Sequence, residues 1–560
     1  MTPDTTFEDL GPAAAARLGA VVGGSLEKGL EVRLDPAASL EDVRVGHYVA
    51  IQGQSARFFG MVTDISLRAL DDRLALSPPD RADSFSARVL AGTATFAVLK
   101  VVPMLMLPSP ALRGSTSSPR TDGSPRTDSE LQPARTIPAH FAPVMRASAQ
   151  DVEAVFGSED AKHPRHFTVG TPLDMEVQVA LDLGKFTERS NGVFGKSGTG
   201  KTFLTRLLLI GILQKGVATN LVFDMHNEYG WEGSSEGRDG RAVKGLKQLF
   251  PSRVAIFSLD EASSRRRKVQ PDFVVEIGYS DIEPSDIEVL RETLNLSQPM
   301  LDAVYLLARR YGEHGWQKEL LAEGADIKEL AGDSEAHEGA LSALRRRLQG
   351  LARLPFLVPK PRDDAVQRLL DYLQRGTHVV LEFGGHNTLE AYILVANILT
   401  RRIYDRYKKL TEERQGTGAP RPQPLMITIE EAHKFLSPEV ATQTIFGDIA
   451  REMRKFNVTL LVIDQRPSAI DGEVLSQVGT KIVCQLDNER DVEAVLAGAS
   501  GRSELRGVLA KLDSKQQALL FGHALPMPVV VRVRDYGSPE SYKSLGEPTA
   551  PAASVRDLFP

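Results

Sequence analysis

Residues 195–202 read GKSGTGKT and fit the spacing G-x-x-x-x-G-K-[ST] in full. Glycines at this spacing let backbone N–H groups turn inward around phosphate oxygens, and a helix opening behind them adds its positive dipole end. The apolar stretch GVF precedes the motif and FLTRLLLIGIL follows it, a strand and a helix in the order the motif needs. Gly195, Lys196, Ser197, Gly198, Thr199, Gly200, Lys201 and Thr202 therefore form a nucleotide-binding loop. In such a loop Lys201 reaches the β- and γ-phosphates of ATP, and the Thr202 hydroxyl serves Mg²⁺.

A second acid-bearing stretch, LMITIEEAHKF at 425–435, ends an apolar strand in Glu430 and Glu431, with His433 two places on. Unpaired acids are costly to bury, so a cation is expected there. Glu430 is assigned to the magnesium ion. Alternation along a strand makes neighbouring side chains diverge, which leaves Glu431 to polarise an attacking water. VTLLVIDQRPSAI supplies another buried strand tipped by Gln465, placed to sense the γ-phosphate. DIAREMRKFNV carries Arg451 and Arg454, three apart on one expected helix face, which reads either as a solvent-facing basic helix or as arginine fingers offered in trans.

These groups need a scaffold. From about 165 onward apolar strands alternate with helices: NGVFGK, TNLVFDMH, RVAIFSL, THVVLEF, PLMITIE, VTLLVIDQ, TKIVCQL and QALLFGH. That alternation predicts a mainly parallel α/β sheet. Residues 282–375 interrupt it with amphipathic helices, one expected to bury Leu301, Val304, Tyr305 and Ala308, another Leu341, Leu344, Leu348 and Leu351. A helical subdomain inserted between strands accounts for both. Before the α/β region, GLEVRL, HYVAIQG, ARFFGMVTDISL and ATFAVLKVVPMLML predict a small β-barrel or sandwich. The expected organisation is a β-barrel domain over 1–165, with a disordered loop at about 110–137. An ATPase domain over 166–540 follows, then a tail over 541–560. The loop is rich in Ser, Pro, Thr and Gly, and contains SPRTD twice.

The 560 residues carry a net charge of −6, so any nucleic acid must be held by a local patch rather than by overall charge. The single cysteine, Cys484, rules out an internal disulfide and is expected to be a buried inert thiol. No apolar run approaches the length of a membrane span, and the first residues lack a basic-then-apolar leader, so a soluble cytoplasmic protein is expected.

Taken together, GKSGTGKT, VFDMHNEYG, ITIEEAHKFLSP, the run from REMRKFNV through QRPSAIDGEVLSQVGTKIVCQL, and LAKLDSKQQALLFG resemble the HerA family of hexameric DNA translocases, relatives of the FtsK group. The likeness spans most of 165–535. It implies a RecA-like P-loop ATPase core, preceded by a small barrel and assembled as a homo-hexamer on double-stranded DNA. Lys201 and Thr202 match the Walker A pair, Glu430 and Glu431 the Walker B pair, Gln465 the γ-phosphate sensor, and Arg454 and Arg451 the arginines offered to the neighbour. Arg189 lies where such proteins carry a further arginine. Asp224, His226 and Glu228 match the family's D-x-H-x-E-Y; hydrogen bonding that supports the strand end is preferred for them over a metal site. Pore-loop candidates are Arg238, Arg241, Lys244 and Lys247, the stretch SPEVATQTIFG, and the basic run Arg265 to Lys268. The implied partner is a NurA-type nuclease, in end resection during double-strand break repair. The alternative is a HerA-like scaffold or regulator of an anti-phage effector complex. The absence of apolar spans argues against a membrane-anchored pump.

Overall fold

The computed structural model describes residues 17–36, 38–71, 89, 94–108, 131–234, 242–386, 388–417, 422–441, 445–499, 501–513 and 516–546. The SPRTD repeat, Arg238, Arg241, residues 442–444 and the chain beyond 546 lie outside these.

The first sheet comprises β1 (Arg17–Ser25), β2 (Gly29–Leu34), β3 (Tyr48–Gln52), β4 (Ala56–Ala69), β5 (Thr95–Pro108), β6 (Gln132–Pro133) and β7 (Pro143–Arg146). Its order is β2-β1-β7-β3-β4-β5-β6, and β2 also pairs with β5, so six strands close into a barrel. Strand alternation divides its residues between two cores. Val49, Ile51, Val62 and Val101 fill the barrel, whereas Tyr48, Ala50, Phe59 and Met61 join the core of the larger sheet. The Tyr48 hydroxyl donates to Pro528 O at 3.1 Å and accepts from Val530 N–H at 3.0 Å, which satisfies a phenol buried at this seam.

The second sheet has twelve strands: β8 (His166–Pro172), β9 (Val179–Asp182), β10 (Asn191–Phe194), β11 (Thr219–Asp224), β14 (Val254–Ser258), β15 (Phe273–Val274), β18 (His378–Glu382), β19 (Leu425–Glu430), β20 (Val458–Asp464), β21 (Thr480–Val483), β22 (Gln517–Gly522) and β23 (Val529–Val533). Two-residue ribbons β12 (Gly233–Ser234) with β13 (Ala242–Val243), and β16 (Ile277–Gly278) with β17 (Leu357–Val358), complete the set. The order is β15-β14-β18-β11-β19-β20-β10-β21-β22-β23-β8-β9. It is parallel as far as β21 and antiparallel beyond. The parallel strands are covered on both faces, which is why β20 is largely apolar before its terminal Asp464 and is buried at every residue.

The helix Lys201–Lys215 is buried from Leu204 through Leu213, so it is a core helix rather than an amphipathic one. Gly216, left-handed at φ 61°, closes its C-terminus. The inserted helices Pro284–Val289, Gln298–Tyr311, Trp316–Leu321, Ile327–Ser334 and Glu338–Leu351 bury Leu301, Val304, Leu307, Leu341, Leu344 and Leu348. Tyr305 departs from expectation: it is 46% exposed and points at Glu288, and Leu307 takes the inward position. A buried Asp286, bonded by Asn397 at 2.8 Å and Arg401 at 2.9 Å, ties the insertion to the long helix Leu389–Thr417. Among the described residues no helix is long and apolar enough to cross a membrane.

Candidate active site

Four adjacent or near-adjacent parallel strands end in acids: Asp224 on β11, Glu382 on β18, Glu430 on β19 and Asp464 on β20. None is more than 7% exposed, so each must find a partner.

Asp224 accepts the N–H groups of Glu228 and Tyr229, both at 2.8 Å, and so folds the turn that follows its own strand. His226 is exposed and Glu228 partly so. Among the described residues no cluster of three His, Cys, Asp or Glu is placed to hold a metal, and Asp224 acts as a hydrogen-bond hub. Glu382 is paired with Arg267. That removes Arg267 from the basic run as a free contact. Arg265 pairs with Glu261 at 2.7 Å, and both Arg265 and Arg266 stay well exposed. The run is also not a simple loop, because Glu261–Arg266 is helical.

Asp464 accepts from His433 N–H at 2.7 Å, His433 Nδ1 at 2.9 Å and Arg466 N–H at 2.6 Å. It thereby clamps the segment after β19 to the segment after β20. The bond to Asp464 holds the His433 imidazole above its ordinary pKa. Glu430 accepts from the Tyr229 hydroxyl at 2.7 Å through Oε1, while its buried Oε2 has no partner in the protein. Burial pushes this carboxyl up to about 8.

Glu431 diverges from Glu430, but not by strand alternation. β19 stops at Glu430, and Glu431 is left-handed at φ 51°, a costly conformation for a residue with a Cβ. The kink brings its carboxylate to Gln465, whose Nε2 donates to Oε1 at 2.9 Å. The structure thus joins two residues chosen from separate segments.

The phosphate loop sits beside them because β10 lies next to β20, with Phe194 opposite Asp464. Gly198 and Gly200 have φ of 76° and 93°, and the helix begins at Lys201. A Cβ on Gly195 would come within 2.8 Å of Cys484 Cβ and 2.9 Å of Thr199 Oγ1, so glycine is required. Cys484 is buried, and burial raises its thiol to about 11, as expected of an inert cysteine. Lys201 Nζ donates to Lys196 O at 2.9 Å, and burial lowers its pKa. Lys196 pairs outward with Asp487 at 2.9 Å. Lys201, Thr202, Glu430, Glu431 and Gln465 face one cavity of about 290 Å³. The open space over Gly198 and Gly200, together with the orphaned Oε2 of Glu430, fits a nucleotide phosphate chain with its Mg²⁺.

The three arginines lie elsewhere. Arg189 precedes β10, and Arg454 precedes β20 in the 3₁₀ turn Met453–Phe456. Both are at the N-terminal edge of strands whose C-terminal ends carry the phosphate loop and Gln465. Arg451 lies in the α-helix Ile445–Glu452, and Arg454 in the 3₁₀ turn that directly continues it. Arg451 folds back toward Asp448, 3.5 Å away, while Arg454 is exposed. Of the lysines proposed for a pore loop, Lys247 is engaged by Val254 O at 2.8 Å and Asp272 at 3.0 Å, and the Lys244 ammonium lies over the Tyr542 ring.

Sequence reasoning missed Tyr229, Arg206, Asp464 and His433 as members of the site. Arg206, on the phosphate-loop helix, is 1% exposed and donates to Glu228 O. The signal was present for Tyr229 in VFDMHNEYG, but its partner lies 201 residues away.

Residues 18–113 match the model of the HAS barrel domain, and residues 167–403 match that of the central domain of helicase HerA. The chain is 23% identical over 441 residues to the DNA double-strand break repair helicase HerA of Pyrococcus furiosus, covering 73% of this chain and 75% of that one. It is 24% identical over 515 residues to a probable helicase of Methanocaldococcus jannaschii, covering 90% and 89%. Among solved structures, VirB4 of Thermoanaerobacter pseudethanolicus aligns with a TM-score of 0.44 at 13% identity, over 67% of this chain and 97% of that one.

Proposed function

This chain belongs to the HerA helicase family, and from that premise we propose that it is an ATP-driven translocase on double-stranded DNA. It works as a homo-hexameric ring with a NurA-type nuclease, in end resection for double-strand break repair. The observation that carries the reading is the meeting of Lys201, Thr202, Glu430, Glu431 and Gln465 around one cavity.

Each group has a part. Lys201 and the backbone of Gly198 to Lys201 bind the phosphates. Thr202 and the free oxygen of Glu430 would hold Mg²⁺, which would supply charge neutralisation to the phosphates. Glu431, held by Gln465 through one oxygen, keeps the other for orienting water. Gln465 reports on the γ-phosphate through the same contact. Arg454, with Arg451 and Arg189, serves the site of the adjacent subunit, since all three precede strands whose far ends carry this chain's own site. DNA is gripped through its phosphates, so binding weakens steeply as salt rises.

The test is the ATPase rate with and without linear double-stranded DNA, for the wild-type protein and for Glu431→Gln. Stimulation by DNA, with turnover lost in the variant and ATP binding kept, is the expected result. Hydrolysis indifferent to DNA would overturn the translocase reading.

A further inference from the structure

Two buried tyrosines hold Glu430. The Tyr392 hydroxyl donates to its backbone carbonyl at 3.3 Å, and Tyr229 donates to Oε1 of its side chain at 2.7 Å. Tyr229 is fully buried, so its hydroxyl needs an acceptor. A backbone carbonyl would serve that need. The structure instead supplies one oxygen of a carboxylate and leaves the other, equally buried, without a partner.

The turn that delivers Tyr229 is over-determined. β11 runs beside β19, with Phe223 opposite Ile429, so the chain leaving Asp224 passes over the end of β19. The Asp224 carboxylate gathers the N–H groups of Glu228 and Tyr229. Asn227, left-handed at φ 58°, accepts from Gly384 N–H at 3.1 Å. Arg206, from the phosphate-loop helix, donates to Glu228 O, and Leu246 N–H donates to Tyr229 O at 2.8 Å. Satisfying one phenol does not need five anchors. Holding its oxygen at a fixed place does.

We propose that Tyr229 is a positioning residue for the metal–nucleotide complex: by fixing Oε1 of Glu430 it makes Oε2 the oxygen presented to the cation. The D-x-H-x-E-Y turn is the bracket that holds it. This rests on the assignment of Glu430 as the metal carboxylate. Groups that orient a metal ligand typically change metal affinity by about 10- to 100-fold when removed.

The experiment uses the full chain and Mn²⁺ as a spectroscopic probe. Mn²⁺ affinity is measured by electron paramagnetic resonance with ADP present, and binding of a fluorescent ADP analogue is measured in EDTA. Wild type, Tyr229→Phe, Glu430→Gln and the double variant are compared. Tyr229→Phe is expected to weaken Mn²⁺ binding roughly tenfold while metal-free nucleotide binding stays within about twofold. In the Glu430→Gln background it is expected to change nothing further. Asn227→Gly slackens the same bracket without touching the phenol, and is expected to weaken Mn²⁺ binding by a smaller factor. Unchanged Mn²⁺ affinity in Tyr229→Phe, with a loss in Glu430→Gln, overturns the role of Tyr229 alone. Unchanged affinity in Glu430→Gln overturns the metal assignment and the proposal with it. An equal loss from Tyr229→Phe in both backgrounds marks a general structural role and also overturns it.

Discussion

Asp464→Asn is the perturbation that separates the catalytic arrangement from nucleotide binding. The Asp464 carboxylate is 1% exposed and accepts only, taking two bonds from His433 at one oxygen and one from Arg466 N–H at the other. Asparagine keeps one acceptor oxygen and turns the other into a donor. Whichever way the amide faces, an N–H meets an NH₂ group. The mismatch strands a buried donor, which costs about 1–3 kcal/mol, and the surviving bonds lose the strengthening that ionisation gave them. A total of about 2–3 kcal/mol is enough to make the clamp between the two segments open. Those segments carry Glu431 and Gln465, whose 2.9 Å contact requires the strained φ of Glu431. If the relaxed state is favoured by that amount, the competent geometry is depleted by roughly 30- to 160-fold, and kcat falls in step. The phosphate loop belongs to β10 and its helix, so ATP affinity should stay within about threefold. Steady-state ATPase assays, paired with equilibrium nucleotide binding, read both quantities. A wild-type kcat in Asp464→Asn, or a loss of ATP affinity as large as the loss of kcat, would refute the reasoning.

Two further outcomes follow from neighbouring geometry. The folded-state pKa of His433 is raised above its ordinary 6.5, chiefly by its bond to Asp464. The stabilisation it brings is therefore complete below about 6.5 and is lost as pH rises through the raised folded value. Thermal midpoints followed upward from about pH 6 should fall over that window, and His433→Gln should flatten this part of the profile. Arg454→Ala should leave ATP binding intact and cut turnover by about 10³-fold or more, the range for an arginine finger. Doping wild-type rings with the variant should depress turnover per wild-type subunit, which would stay constant if Arg454 served its own site.

The catalytic segments were legible because their chemistry is local. GKSGTGKT dictates both a loop and a helix start, and the eight expected strands of the larger sheet are all present as β10, β11, β14, β18, β19, β20, β21 and β22. What could not be read is what depends on distant partners. β8, β9 and β23 extend the sheet in antiparallel fashion, and no pattern within HFTVGTP or VALD says which edge they join. The φ of Glu431 is invisible because glutamate has no preference for that region, so an alternating strand was the natural expectation. Helical period alone puts Tyr305 inward, but the structure buries Leu307 and turns the Tyr305 hydroxyl to Glu288. Asp224 and Tyr229 could be seen as a motif, yet their purpose appears only when β11 is set beside β19.

A parallel strand has two ends, and this chain uses both. β20 begins just after Arg454 and ends just before Gln465, and its seven residues put about 20 Å between them. β10, four residues long, separates Arg189 from the phosphate loop by about 13 Å. Neither arginine lines the cavity formed by its own chain. The groups proposed to bind phosphate and orient water meet in one cavity of a single chain; the arginines proposed to offset transition-state charge lie at the opposite edge of the sheet. On the proposed reading, such a chain would hold ATP alone but hydrolyse it well only when another copy brings its β20 N-terminal edge to the cavity. Gln465 directly follows β20 and Arg454 lies four residues before it, so in the proposed ring a shift at one site on loss of the γ-phosphate would be passed along this strand to the arginine offered to the next.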